Sequence, residues 1–216
     1  LMDAATGLTL AGKRSDTPVE PASLTKLMTA YIVFREIERD TIEKDDMVVV
    51  SEKAWRSEGS RMFIEAGEKV RIEDLLMGLI VQSGNDSAVA LAEHVAGSEE
   101  GFVDLMNQTA AELGMVNSHF VNSAGMPHPD HYTTARDVTL LTRAIIYQQP
   151  AHYALYAIRE FTWNNITQKN RNPLLGRDGS IDGVKTGHTR SAGYCLVGSA
   201  GQDGMRLIGT VIGAQS

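Results

Sequence analysis

The stretch Ala192-Gly193-Tyr194-Cys195-Leu196-Val197-Gly198-Ser199-Ala200-Gly201-Gln202-Asp203-Gly204-Met205-Arg206-Leu207-Ile208-Gly209-Thr210-Val211-Ile212 decides the fold class. Two apolar runs, 192–199 and 205–212, flank a Gly- and Asp-bearing joint at Ala200 to Gly204, which is the pattern of a β-hairpin. Just upstream, Gly183-Val184-Lys185-Thr186-Gly187 leads into another strand, and Phe161-Thr162-Trp163 is a further candidate. The opposite end of the chain answers in kind. Leu1-Met2, a turn over Asp3 to Gly7, and Leu8-Thr9-Leu10-Ala11 read as a short hairpin.

Between these ends the apolar period changes from two to about 3.6, the helical value. From Ser23, apolar residues recur at Leu24, Leu27, Met28, Tyr31, Ile32 and Phe34. Met47-Val48-Val49-Val50 is a short strand candidate. Ile72, Leu75, Leu76, Leu79 and Ile80 mark a helix that runs directly into Ser83-Gly84-Asn85. Another begins near Asp86, carries Val89, Leu91, Ala92 and Val95, and stops at Gly97. Phe102, Leu105, Met106 and Leu113 form a third, ended by Gly114, and Thr134 with Asp137 opens a fourth through Val138, Leu141, Ala144 and Ile145. Strands at both ends with helices between predict an α+β fold. One antiparallel β-sheet is built from both chain ends and flanked by helices, with a helical lobe inserted over about 50–155. Residues 1–216 form a single domain in this reading, and both ends read as cuts within a longer precursor.

Composition narrows the function. Apolar residues at 43% and charged residues at 22% are ordinary for a globular chain. A net charge of -7 with no offsetting basic run argues against a nucleic-acid partner. No stretch approaches the roughly 20 apolar residues of a membrane span. The single cysteine, Cys195, forms no internal disulfide and reads as a small buried residue.

Three short segments carry the chemistry: Ser23-Leu24-Thr25-Lys26, Ser83-Gly84-Asn85 and Lys185-Thr186-Gly187. Residues three apart share a helix face, so the Ser23 hydroxyl and the Lys26 amine can meet. Ser23 lies in a first turn, where free backbone N–H groups can hold an oxyanion. Serine needs a base, and lysine serves only when burial or a second cation pulls its pKa down. Lys185 is the natural second cation. Each segment alone is common; the joint order and the settings (helix start, helix-to-helix loop, edge strand) are not.

The trio resembles the Ser-x-x-Lys, Ser-Asp-Asn and Lys-Thr-Gly set of class A β-lactamases and penicillin-binding proteins, with Gly84 in place of the middle aspartate. With Pro21 to Lys26, Gln82 to Asp86, Asp182 to Thr189 and Tyr132 to Asp137, the chain resembles the low-molecular-mass D-alanyl-D-alanine carboxypeptidases along nearly its whole length. The resemblance implies a β-lactamase/transpeptidase-like fold and a serine carboxypeptidase that removes the terminal D-alanine from peptidoglycan stem pentapeptides. It implies Ser23, Lys26, Ser83 and Lys185 as catalytic residues, with Ser23 acylated and Ser83 relaying protons. It implies Asn85, Thr186, Gly187, His188, Thr189 and Arg171 as substrate-binding, with the N–H groups of Ser23 and His188 forming the oxyanion hole. No cofactor and no metal are implied. The implied partners are the D-Ala-D-Ala stem peptide and β-lactams as covalent inhibitors, in the bacterial periplasm or on the outer face of the cytoplasmic membrane. Any membrane association would lie in segments beyond this chain.

Three other readings share parts of the set. A D,D-endopeptidase would use the same residues on cross-linked peptides. A class A β-lactamase would add a Glu-x-x-x-Asn loop, but Glu112 and Asn117 miss that spacing and 115–135 hold no glutamate. A non-catalytic penicillin sensor would have less use for Ser83 and Lys185. His119, His128 and His131 crowd one loop segment and read as surface histidines rather than zinc ligands.

Overall fold

The computed structural model describes residues 1–215. In chain order its elements are β1 (Met2–Asp3), α1 (Lys26–Glu38), β2 (Met47–Val49), α2 (Glu52–Trp55), β3 (Lys69–Arg71), α3 (Ile72–Met77), α4 (Asn85–Ala96) and α5 (Glu99–Glu112). There follow α6 (Ala135–Gln148), α7 (Pro150–Tyr153), β4 (Glu160–Trp163), β5 (Ile166–Lys169), β6 (Ile181–Thr189), β7 (Gly193–Gln202) and β8 (Met205–Ala214). The α+β fold read from the sequence is the one observed.

The main sheet is antiparallel in the order β1-β8-β7-β6. The hairpin that decided the fold class is longer than its apolar runs, ten residues on each arm. Its turn narrows to Asp203 and Gly204, whose φ values of 52° and 80° suit the two-residue turn that matches strand twist. The N-terminal hairpin is only half realised. Met2 and Asp3 pair with Ile208 and Leu207 of β8, while the returning arm keeps a single bridge, Met2 to Thr9. The sheet thus joins both chain ends, with β1 and β6 as its edges among the described residues.

Two ribbons lie outside this sheet. Met47–Val49 pairs with Lys69–Arg71, and Glu160–Trp163 turns through Asn164 and Asn165 to pair with Ile166–Lys169. Neither partner strand was expected, because both are short and mostly exposed.

Helix α1 is central. Every residue from Lys26 to Phe34 is buried, so it is packed on all sides, as a helix at the middle of a core must be. It follows a 3₁₀ turn at Ala22–Thr25 without a break. Thr134 caps α6 by accepting from the Asp137 N–H at 3.1 Å, as its sequence predicted. Gly97, at φ 77°, ends α4 in the left-handed conformation that favours glycine.

The helix running into Ser83 is less regular than its period suggested. After Met77 it widens into a π turn over Gly78–Gln82. A Cβ on Gly78 would lie 2.3 Å from Met62 Sδ and 2.7 Å from Ser87 Oγ, so glycine alone lets this turn press against its neighbours. Ser83 leaves the turn at φ 65°, a left-handed conformation costly for a side chain with Cβ.

Candidate active site

Four segments converge on Ser23: the 3₁₀ turn and first turn of α1, the 83–85 loop, the 122–126 loop and the edge strand β6. Their meeting explains several local choices. Ala22 adopts φ 47°, and Gly125, at φ 86°, presses so close that a Cβ there would meet the Ala22 carbonyl oxygen at 1.9 Å. On the opposite wall, a Cβ on Gly187 would reach the Ser23 backbone nitrogen at 3.0 Å. The Lys-Thr-Gly strand therefore lies directly against the N-terminal turn bearing Ser23.

Lys26 Nζ sits 3.1 Å from Ser23 Oγ. It also contacts Asn85 Oδ1 and the Ala124 carbonyl oxygen, both at 2.6 Å. The side chain is fully buried, and burial together with the Lys185 charge holds its pKa well below the ordinary lysine value. The nearby Asp86 carboxylate opposes that shift, and the Arg171 charge adds to it. Lys185 Nζ donates to Ser83 Oγ and to the Thr186 carbonyl, each at 2.9 Å. Burial, helped by Arg171, lowers its pKa to about 7. Ser23 itself is only partly buried, so it opens to solvent while both lysines are shielded.

The flanking residues hold this arrangement. Asn85 Nδ2 donates to the Glu58 carbonyl at 2.5 Å, which turns its oxygen toward Lys26. Asp86 is buried and accepts N–H groups from Met62, Phe63 and Ser87 at 2.9–3.1 Å, so one carboxylate pins the 61–64 loop to the start of α4. Asn122 Oδ1 accepts from the N–H groups of Gly125 and Met126 at 2.7 and 2.9 Å. Thr29 Oγ1 donates to the Ser123 carbonyl at 2.7 Å. These bonds set the loop that supplies Ala124.

The sequence-predicted residues are thereby brought together in two hydrogen-bonded groups, Ser23 and Asn85 around Lys26 and Ser83 with Lys185, coupled through the charges of the two lysines. Arg171 stands beside them, its Nε donating to the Gln82 carbonyl at 2.9 Å. Thr186 and Gly187 lie in β6 beside the turn bearing Ser23, and His188 is exposed with its ring 4.4 Å from that of Tyr194. Thr189 Oγ1 is engaged in the β6–β7 turn, accepting from the Ala192 N–H at 2.9 Å.

Sequence reasoning missed the Ala124 carbonyl, a backbone atom with no side-chain signature; Gly125 was its only flag. It also missed the clamp made by Asp86. One reading is corrected. His119 and His128 are exposed loop residues, but His131 is 2% exposed. Its ring packs edge-on against Phe120 and bonds to Thr25, which the loop's polar, Pro-bearing composition concealed. Among the described residues no cluster of His, Cys, Asp and Glu could hold a metal ion. Glu112, weighed above as a β-lactamase-type glutamate, instead pairs with Arg35 at 3.1 Å.

Comparison with known proteins gives consistent results. The family model described as D-alanyl-D-alanine carboxypeptidase matches residues 1–216. The chain is 46% identical over 223 aligned positions to the D-alanyl-D-alanine carboxypeptidase DacC of Escherichia coli, covering 100% of this chain and 56% of that protein. The crystal structure of the D-alanyl-D-alanine carboxypeptidase DacD from Francisella tularensis superposes with a TM-score of 0.98 at 38% identity, covering 100% of this chain and 65% of that one. Penicillin binding protein 5 from Haemophilus influenzae gives 0.97 at 41%, with 100% and 64% covered. The chain spans a little over half the length of the curated relatives it matches.

Proposed function

Because the chain belongs to the D-alanyl-D-alanine carboxypeptidase family, we propose that it is the catalytic domain of a serine D-Ala-D-Ala carboxypeptidase, acting on peptidoglycan stem pentapeptides through an acyl-enzyme on Ser23. Residues 1–216 act as one domain, with a helical lobe over about 50–155. Its place is the bacterial periplasm or the outer face of the cytoplasmic membrane, where that substrate lies. β-Lactams are its covalent inhibitors.

The observation that carries this reading is the set of contacts around Lys26 Nζ. A neutral amine has two N–H donors and one lone pair. Asn85 Oδ1 and the Ala124 carbonyl take the two donors, which leaves the lone pair for the Ser23 hydroxyl. Burial and the Lys185 charge lower the Lys26 pKa and so favour the neutral amine.

The steps balance as follows. Ser23 Oγ attacks the carbonyl carbon of the penultimate D-alanine, and its proton passes to Lys26 Nζ. The oxyanion is held by the backbone N–H groups of Ser23 and His188. The C–N bond then breaks, and the departing amine takes a proton from Lys26 by way of Ser83, whose hydroxyl is bonded to Lys185. Water hydrolyses the ester, returning the hydroxyl to Ser23. Asn85 holds the substrate's peptide carbonyl, and Thr186, Gly187 and Thr189 border its path along β6, with Arg171 behind.

Residues 115–135 hold no glutamate and Glu112 is paired with Arg35, which supports a slowly deacylating enzyme over a class A β-lactamase. The test offers a stem pentapeptide and a cross-linked dimer in parallel. Release of free D-alanine from the pentapeptide, with the dimer intact, is the expected result. Cleavage of the dimer alone would make the protein an endopeptidase.

A further inference from the structure

Thr25 stands immediately before α1, where a threonine ordinarily caps the helix, yet its side chain makes no cap bond. Its Oγ1 lies instead 2.8 Å from Nε2 of His131, 106 residues on. Across the ring, His131 Nδ1 accepts the Val121 N–H at 3.2 Å. That bond fixes the tautomer: Nδ1 is the acceptor, so the proton rides on Nε2 and is donated to Thr25. A neutral imidazole is required, and burial, with the charges of His119 and His128, holds the ring's pKa down to about 4.

The bridge joins the two pieces that position the proposed base. Thr25 is the residue before Lys26, on the turn that carries Ser23. Val121 opens the loop whose Ala124 carbonyl accepts from Lys26. Gly125 packs over Thr25, since a Cβ there would meet Thr25 Oγ1 at 2.9 Å. The His131 ring thus ties the turn to the opening of the loop, beside the Thr29 bond that holds Ser123.

We infer that His131 is a positioning residue for acylation, holding the 121–126 loop against Thr25 so that Ala124 keeps Lys26 Nζ aimed at Ser23. It touches neither substrate nor reacting atoms. The inference rests on the reading of Lys26 as the base.

The test measures penicillin acylation of the full chain, separating the binding constant from the first-order acylation constant, with the thermal midpoint recorded for each protein. His131→Ala should lower the acylation constant about tenfold or more, because a misplaced base costs heavily, with binding changed less than about threefold. His131→Gln, whose amide supplies one donor and one acceptor, should recover most of that loss. Thr25→Val should repeat the His131→Ala loss, and it carries the test if His131→Ala does not fold. An acylation constant in His131→Ala or Thr25→Val within about twofold of wild type overturns the inference, as does a His131→Gln protein no faster than His131→Ala. If wild type takes no label on Ser23, the reading of Lys26 falls and the inference with it. A labelled wild type with unaffected variants defeats the inference alone.

Discussion

Lys26 Nζ meets the carbonyl oxygen of Ala124 at 2.6 Å, so a loop 98 residues away in sequence aims the amine that faces Ser23. A side chain could be substituted there without losing this contact. What the position demands is the path of the backbone, and that path depends on glycine at 125.

Gly125→Ala is therefore expected to be severe. The added methyl would overlap the Ala22 carbonyl, and φ 86° is unfavourable for alanine in any case. We predict a loss of about 2–4 kcal/mol, typical of combined backbone strain and overpacking, together with loss of acylation. Urea denaturation and penicillin labelling check both halves; a variant as stable and reactive as wild type would refute the close approach.

Asp86→Asn should unfold more easily while leaving the reacting groups in place. The carboxylate accepts several backbone N–H groups, and an amide keeps only one acceptor oxygen. Charge-assisted bonds of this kind contribute about 1.5–3 kcal/mol, so a destabilisation of roughly that size is expected in a denaturant titration. Unchanged stability would mean that the 61–64 loop is held by other contacts.

Ser83→Ala should fold normally and bind penicillin, yet acylate about 10²–10⁴ times more slowly if Ser83 relays protons. Stopped-flow labelling measures the rate, and a loss below tenfold would remove Ser83 from the relay.

The pH dependence has a definite sign. Lys26 must be neutral to accept a proton, so acylation falls on the acid side. Removing a neighbouring cation raises the Lys26 pKa and moves that acid limb to higher pH. Lys185→Met should shift it further than Arg171→Met, because the Lys185 charge is the larger of the two influences. Stability carries the same signature. The folded Lys185 pKa is near 7 and the ordinary value is 10.5, so between them the unfolded chain binds more protons. Stability should therefore rise with pH from about 7 toward 10.5, and Lys185→Met should flatten that rise. A midpoint independent of pH in wild type would contradict the lowered pKa of buried Lys185.

Much of this was legible in the sequence, for reasons specific to each part. The β7–β8 hairpin showed itself because its two apolar runs flank Asp203-Gly204. The α4 and α5 stops showed because Gly97 and Gly114 sit in left-handed backbone that favours glycine. The three motifs of the candidate site were readable because side-chain chemistry at fixed spacing leaves a mark. Ala124 left none, since every residue has a carbonyl. The π turn before Ser83 left none either, because its apolar residues keep a helical period. His131 was misplaced because a polar loop around it hid the hydroxyl partner Thr25, in the turn before α1, and the aromatic partner Phe120.

The most direct test of the account is incubation with a penicillin followed by mass spectrometry of the digested protein. The account predicts one covalent adduct, on the peptide bearing Ser23, that persists for far longer than its formation takes and is absent from Ser23→Ala. An unlabelled protein, or an adduct on any other residue, would contradict it.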